Sequence, residues 1–466
     1  CNGSPMPGRR IMSEPHRLFH PKLRAALVAI ASAVALAIVS PASPVHAADA
    51  WTQVGENLDS NDAVEPDYGY AVDLSADGSI MATSSPYREQ VFIYRWSGSE
   101  WALSETITGD QANAGFGTSL ALSADGTTLV VGSPNWQITR IGTPRIEGRA
   151  QIFDYDGTSW SLTKTYNPAI TGNAGYSVDI SSDGTTVVIG NPLSAAFNGS
   201  VDIARKIGST WGDVDDSFMG STEVRLGVTV SASADGSVVA AGARGAAPFP
   251  EGKAYVFRWD GSSYSSPTII SVGPIITNAQ PPVALSGDGT LLVTGAAGYD
   301  TGSGDDDTGA VFTHTYDGSS WNLQSTIPGT TAGIEEGTNL AVSSDGTTLA
   351  TTASDDSNGQ TRVFTYDGSN WNQRGDTFTG SDGQYLGDAL AFANSGYTLA
   401  IGSPRWYNEP IDNRAGRLQV FSWPRPATGD AIPGPATYFT FLLPDGRECT
   451  SISPQRVQVG TFVELP

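Results

Sequence analysis

Short apolar runs alternate along most of the chain with clusters of Gly, Asp, Ser and Thr, and one unit shows the order clearly. Ser119-Leu120-Ala121-Leu122 has the two-residue period of a strand with one buried face. Ala124-Asp125-Gly126 breaks it, and an Asp-Gly pair between apolar runs predicts a mirror-image hairpin with positive φ at both central residues. Thr128-Leu129-Val130-Val131-Gly132 follows, apolar on both faces, as in a strand sandwiched between neighbours. A variable loop runs from Ser133 to Gly148, and Ala150 to Tyr155 alternates again. Asp156-Gly157 marks a second hairpin, and Trp160-Ser161-Leu162 begins an outer strand.

The unit repeats. Its first turn recurs at Asp77-Gly78, Asp183-Gly184, Asp235-Gly236, Asp288-Gly289 and Asp345-Gly346, with Ser395-Gly396 in the seventh place, at intervals of 48 to 58 residues. Such a period predicts propeller blades. The second hairpin recurs with an aromatic behind it (Trp101, Trp211, Tyr264, Trp321, Trp371), expected to pack each outer strand onto its blade. The seventh unit is one strand short and stops at Trp423-Pro424, since proline cannot join a central ladder. Trp51-Thr52-Gln53-Val54-Gly55 is similar to the outer strand Trp371-Asn372-Gln373-Arg374-Gly375, so the missing strand is expected at the other end of the chain. The prediction is an all-β fold: a seven-bladed β-propeller of four-stranded blades over 48–423, closed by the N-terminal strand, with a partial C-terminal β module.

The flanks read differently. Lys22 and Arg24 precede an apolar run from Ala25 to Val39, and Val45-His46-Ala47 has the small-x-small form of a cleavage site, so 1–47 is expected to be an export signal. The run is short for a membrane span, and none is expected after cleavage. Residues 424–437, rich in Pro and Gly, read as a linker, and 438–466 as the start of a small β module that continues past Pro466. Cys449 is then paired with a cysteine outside this sequence, or is a free or intermolecular thiol.

Composition narrows the chemistry. A formal net charge of −23 argues against nucleic acid, which needs clustered Lys and Arg, and against anionic membranes. Of four histidines only His314 lies outside the leader, in the strand-like run Val311–Tyr316. Ser-His-Asp triads and multi-histidine metal sites thus reduce to one candidate residue, which reads better as a structural strand position.

The units resemble FG-GAP repeats, the blade motif of integrin α-chain propellers and of many secreted bacterial proteins. The carrying residues are Gly115-Phe116-Gly117 with Val131-Gly132-Ser133-Pro134, and weaker copies such as Gly175-Tyr176 with Ile189-Gly190-Asn191-Pro192, Leu226-Gly227 with Ala241-Gly242-Ala243, and Leu386-Gly387 with Ile401-Gly402-Ser403-Pro404. The resemblance implies a secreted or cell-surface adhesion or recognition protein. The family's calcium loops are not present here: Ser123-Ala124-Asp125-Gly126 offers one carboxylate, and calcium takes six to eight oxygens. No cofactor is expected, with Asp305 and Asp307 the sole calcium candidates against a solvated loop tip.

The loops between second and third strands vary most. A groove over blade 1 is expected there, lined by Tyr87, Trp136, Arg140, Arg145, Arg405, Trp406 and Tyr407, which suit sugar rings or acidic polymers. The competing reading is that these residues pack their own loops. The functional expectation is an exported, non-catalytic propeller, monomeric within a longer chain, that recognises an extracellular protein or polysaccharide. The alternative is an extracellular glycan-cleaving hydrolase or lyase, with paired carboxylates drawn from Glu147, Glu251, Glu335, Glu336 and Glu409.

Overall fold

The computed structural model describes residues 50–59, 67–140, 143–168, 171–221, 224–244, 251–274, 280–300, 307–353, 358–380, 384–408, 413–425, 439–442 and 448–451. The expected leader and most of the expected linker lie outside them. Seven antiparallel sheets follow one another, over 72–108, 119–166, 177–219, 229–274, 283–328, 336–379 and 389–422. Each runs first strand to fourth from the axis outward. The helical pieces among the described residues are two short turns, Pro86–Arg88 and Ser194–Phe197. No described helix is long and apolar enough to cross a membrane. In the tail, Phe439–Leu442 pairs antiparallel with Glu448–Ser451.

The last sheet is completed as the sequence predicts. Thr52 and Gln53 pair with Ser422 and Phe421, and the Val54 amide donates to the Val420 carbonyl at 2.7 Å. Trp51 wedges between the last two sheets: its ring packs 5.4 Å from Trp423 and 6.1 Å from Phe378, and its indole N–H donates to the Arg374 carbonyl.

The turn between first and second strands differs from the expected mirror-image hairpin. Only its glycine enters the left-handed region (Gly78 φ 72°, Gly126 φ 67°), and the aspartate does not. The cause is a serine two residues upstream. Ser75 Oγ donates to the Asp77 carboxylate and accepts the Ile80 amide, while Asp77 accepts the Ser79 amide. The Gly78 amide donates to the Ser75 carbonyl, so the loop is a four-residue turn ending in a left-handed glycine. The same network stands at Ser123/Asp125, Ser233/Asp235 and Ser343/Asp345.

These turns lock the ring. The Ala76 amide donates to Ala124 O, Ala124 to Ser182, Asp183 to Ala234, Ala234 to Gly287, Gly287 to Ser344, Ser344 to Asn394, and Asn394 back to Ala76, all at 2.7–3.2 Å. Farther along the axis the seams are backbone against backbone. A Cβ on Gly132 would lie 2.0 Å from the Gly175 carbonyl of the next blade, and one on Gly190 2.2 Å from that of Gly227. At the closing seam, a Cβ on Gly402 would lie 2.2 Å from the Gly69 carbonyl. The paired glycines of the repeat motif are therefore spacers that let neighbouring blades touch.

Outer hairpins are held by stacked aromatics. Tyr155 and Trp160 lie 5.4 Å apart, Trp96 and Trp101 5.3 Å, Tyr316 and Trp321 5.4 Å. An arginine of the preceding blade caps several pairs: Arg95 over Tyr155 at 4.6 Å, Arg258 over Tyr316 at 3.5 Å. His314 is buried in the third strand of blade 5, where burial lowers its pKa.

Two glycine-to-alanine changes separate seam from turn. Gly402→Ala is expected to lower unfolding free energy by roughly 3 kcal/mol, because the methyl must push two blades apart. Gly318→Ala has open space but a φ of 96°, and is expected to lose only about 1 kcal/mol. Denaturant titration distinguishes them, and equal losses would show that the closing seam tolerates a side chain.

Candidate functional site

The first strands surround an axial channel with two chambers. The narrow one, about 290 Å³, is lined by the first strands and the ring of turns. The wide one, about 440 Å³, opens on the face that carries the loops between second and third strands.

Two carboxylates face the narrow chamber. Asp73 accepts the amides of Leu74 and, across the seam, Leu122 at 2.7 Å. Asp179 does the same with Ile180 and Ala232. In blade 4 Ser231 Oγ takes the equivalent place, accepting the Leu285 amide. These side chains satisfy first-strand amides that would otherwise be unpaired at the channel wall. Burial pushes Asp73 up to about 6; burial, and then the Asp73 charge, push Asp179 up to about 7.

The mouth is built from the residues that follow the seam glycines. Tyr70 follows Gly69, Thr118 Gly117, Tyr176 Gly175, Val228 Gly227 and Asp388 Gly387, and blade 5 instead brings Gln280 and Pro282. One backbone position, repeated round the ring, thus presents aromatic, hydroxyl, aliphatic and acidic groups to one chamber. The Gln280 amide donates to the Tyr176 hydroxyl across the mouth. Tyr70 keeps 42% of its surface open. Its pKa is raised, first by partial burial and then by Tyr176, so its phenol stays a hydrogen-bond donor. Asp388 is pushed up to about 6 by burial, with Arg405 pulling it down and Asp67 pushing it up.

Of the residues expected to line a groove over blade 1 whose side chains are described, only Arg405 reaches this chamber, where its guanidinium lies 4.6 Å above the Tyr385 ring. Tyr87 stands on the Pro86–Arg88 turn with 73% of its surface exposed. Arg145 is exposed on the hairpin that pairs 137–140 with 143–146. Trp136 is half-buried under the Arg149 guanidinium, and Trp406 is buried, 8% exposed, under that of Arg417 at 3.7 Å. Each arginine is held by a carboxylate, Arg149 by Asp110 and Arg417 by both oxygens of Asp59. Trp406 and Trp136 thus occupy equivalent packing places in two blades, the arrangement of the competing reading in which these residues pack their own loops. The side chains of Arg140 and Tyr407 lie outside the described residues.

The acidic candidates are dispersed. Glu336 is buried against Arg362 at 2.8 Å, Glu147 is buried, and Glu251 accepts the Ser271 hydroxyl. Glu409 and Asp305 lie outside the described residues. Asp307 has its amide bonded to Asp300, and no group of three or more metal-ligating side chains occurs among the described residues. The mouth residues other than Arg405 were not singled out from the sequence as ligand contacts, although Tyr176 stands in one copy of the repeat motif. Their signal is the position after each seam glycine, where the repeat changes chemical character from copy to copy.

No protein-family model matches the chain, and no curated protein matches it in sequence. Among solved structures it is similar to the β-propeller domain of Cps50 (Swd1) from Myceliophteria thermophila, at 12% identity and a TM-score of 0.51, covering 79% of this chain and 99% of that one. It is also similar to Kuenenia stuttgartiensis hydrazine synthase, at 11% identity and a TM-score of 0.51, covering 72% and 93%. The chain is a seven-bladed β-propeller. At this identity the likeness is one of fold.

The channel carboxylates give a pH test. Unfolded, Asp73 and Asp179 would ionise near 3.8; folded, they hold their protons to about 6 and about 7. The folded state therefore binds more protons over that window, and their contribution to stability is full below about pH 4 and lost as pH rises to about 7. Replacing both by Asn is expected to flatten that part of the melting-temperature profile. An unchanged slope in the double variant would remove these groups as its cause.

Proposed function

We propose that this chain is an exported, non-catalytic propeller of the FG-GAP kind, at the cell surface or secreted, that recognises an extracellular protein or polysaccharide at its channel mouth. One observation carries the reading. Seam glycines, turn serines and stacked aromatics recur from blade to blade, whereas the residues at the mouth differ. A symmetric scaffold needs no such differences there, and an asymmetric ligand does.

The chemistry supports it. Tyr70 and Tyr176 offer ring faces and hydroxyls, Arg405 a planar fork of donors, and Asp388 an acceptor, a combination suited to a polar ring or a peptide side chain. The leader pattern supports export, and the acidity of the chain disfavours nucleic acid. A glycan-cleaving reading lacks similar support. The channel carboxylates Asp73 and Asp179 are already engaged by two backbone amides each.

Screening the protein against arrayed polysaccharides and matrix proteins tests this. Tyr70→Ala and Tyr176→Ala are each expected to weaken the ligand found by roughly tenfold, and Tyr87→Ala to leave it unchanged. The reverse pattern would move recognition to the outer rim.

A further inference from the structure

On its blade 7 side the wide chamber holds two opposite charges, Asp388, half-buried, and Arg405, exposed. One turn places both. The Asp388 amide donates to the Tyr385 carbonyl, and the Tyr385 ring carries the Arg405 guanidinium at 4.6 Å. From blade 6, the Asn339 side-chain amide donates to the Asp388 carbonyl at 2.6 Å and fixes its backbone across the seam. The carboxylate itself is left over. Among the described residues it accepts no hydrogen bond and forms no ion pair; besides burial, only the charges of Arg405 and Asp67 act on it.

Other charges in this ring are treated differently. Asp73 and Asp179 each accept two amides, and Arg149, Arg362 and Arg417 each close onto a carboxylate. A carboxylate drawn partly out of water without donors loses hydration that nothing returns. The scaffold does not require one here, because the same position is Thr118 in blade 2, Tyr176 in blade 3 and Val228 in blade 4. Asp388 therefore stands at a cost that a bound donor offsets.

The local charges select that donor. Two carboxylates, Asp67 and Asp388, stand against one guanidinium, Arg405, and all three act on the Tyr70 phenol. An anionic group meets the acidic excess, and a cationic group meets the Arg405 fork. A neutral group with adjacent donors and acceptors uses both sides. Adjacent hydroxyls on a sugar ring are such a group: one donates to Asp388 while its neighbour accepts from Arg405. The half-open Tyr70 ring gives the apolar face of the sugar a surface to cover.

We propose that Asp388 and Arg405 act together as the specificity-determining pair of the mouth and read two adjacent hydroxyls on a neutral sugar of a polysaccharide ligand. This rests on the recognition reading above and narrows it to the polysaccharide.

Calorimetric titration at about pH 7 with methyl α-mannoside, methyl β-glucoside, methyl β-galactoside, sodium glucuronate and glucosamine tests it. A neutral glycoside is expected to bind more tightly than glucuronate and glucosamine. Asp388→Asn and Arg405→Gln are each expected to weaken that glycoside roughly tenfold. Asp388→Asn is expected not to lower the melting temperature, which separates a ligand role from a folding role. Wild-type binding is expected to fade as pH falls through about 6, where Asp388 takes up its proton, and Asp388→Asn binding to stay level. Glucuronate or glucosamine binding more tightly than every neutral glycoside, no binding by any of the five, or variants that bind like the wild type would overturn the pair. If Tyr70→Ala and Tyr176→Ala weaken the array ligand while Asp388→Asn and Arg405→Gln do not, the pair falls and the mouth reading stands. If none of the four variants weakens it, both fall.

Discussion

Neighbouring blades meet through bare backbone, and that contact sets the radius of the ring. Where Gly132 faces the Gly175 carbonyl, or Gly402 that of Gly69, no side chain fits between the sheets. Five such approaches, with the circle of turn-to-turn amide bonds at one end of the channel, leave little freedom in how the blades incline; at the other two seams Ser84 and Thr352 face the glycine of the next blade. The hydrophobic layers between blades contribute most of the stabilisation, as burial generally does, but apolar layers alone tolerate sliding. The glycine seams and the amide circle do not.

The function follows from this geometry. A ring closed so tightly presents the residue after each seam glycine to the axis, whatever its chemistry. That position makes no blade-to-blade contact that all copies share, so Tyr70, Tyr176, Val228 and Asp388 can differ without disturbing the fold. Deeper in the channel the opposite holds. Asp73, Asp179 and Ser231 hold amides across the seams, and their polarity serves the scaffold. Depth along one axis thus separates groups available to a ligand from groups engaged by the backbone.

Much of the architecture was legible in the strand pattern. The count of blades, their strand order and the closing role of Trp51 all follow from local periodicity and from one repeated outer-strand sequence. The turn was misjudged because Asp-Gly alone favours a mirror-image hairpin, and the Ser75 type of serine, two residues earlier, redirects it. The surroundings of Trp406 were hidden for a similar reason. A tryptophan in a variable loop looks available for stacking until Arg417, anchored by Asp59 more than 350 residues away in sequence, is seen lying over it.

From the sequence alone come the number of strands, their pairing within each blade and the glycine positions, because each depends on neighbours within one repeat. Which residues share the mouth was decided only by closure. Tyr70, Tyr176, Gln280 and Asp388 belong to four blades, and no local spacing relates them. They converge because the seams fix the curvature that brings the seventh blade back to the first.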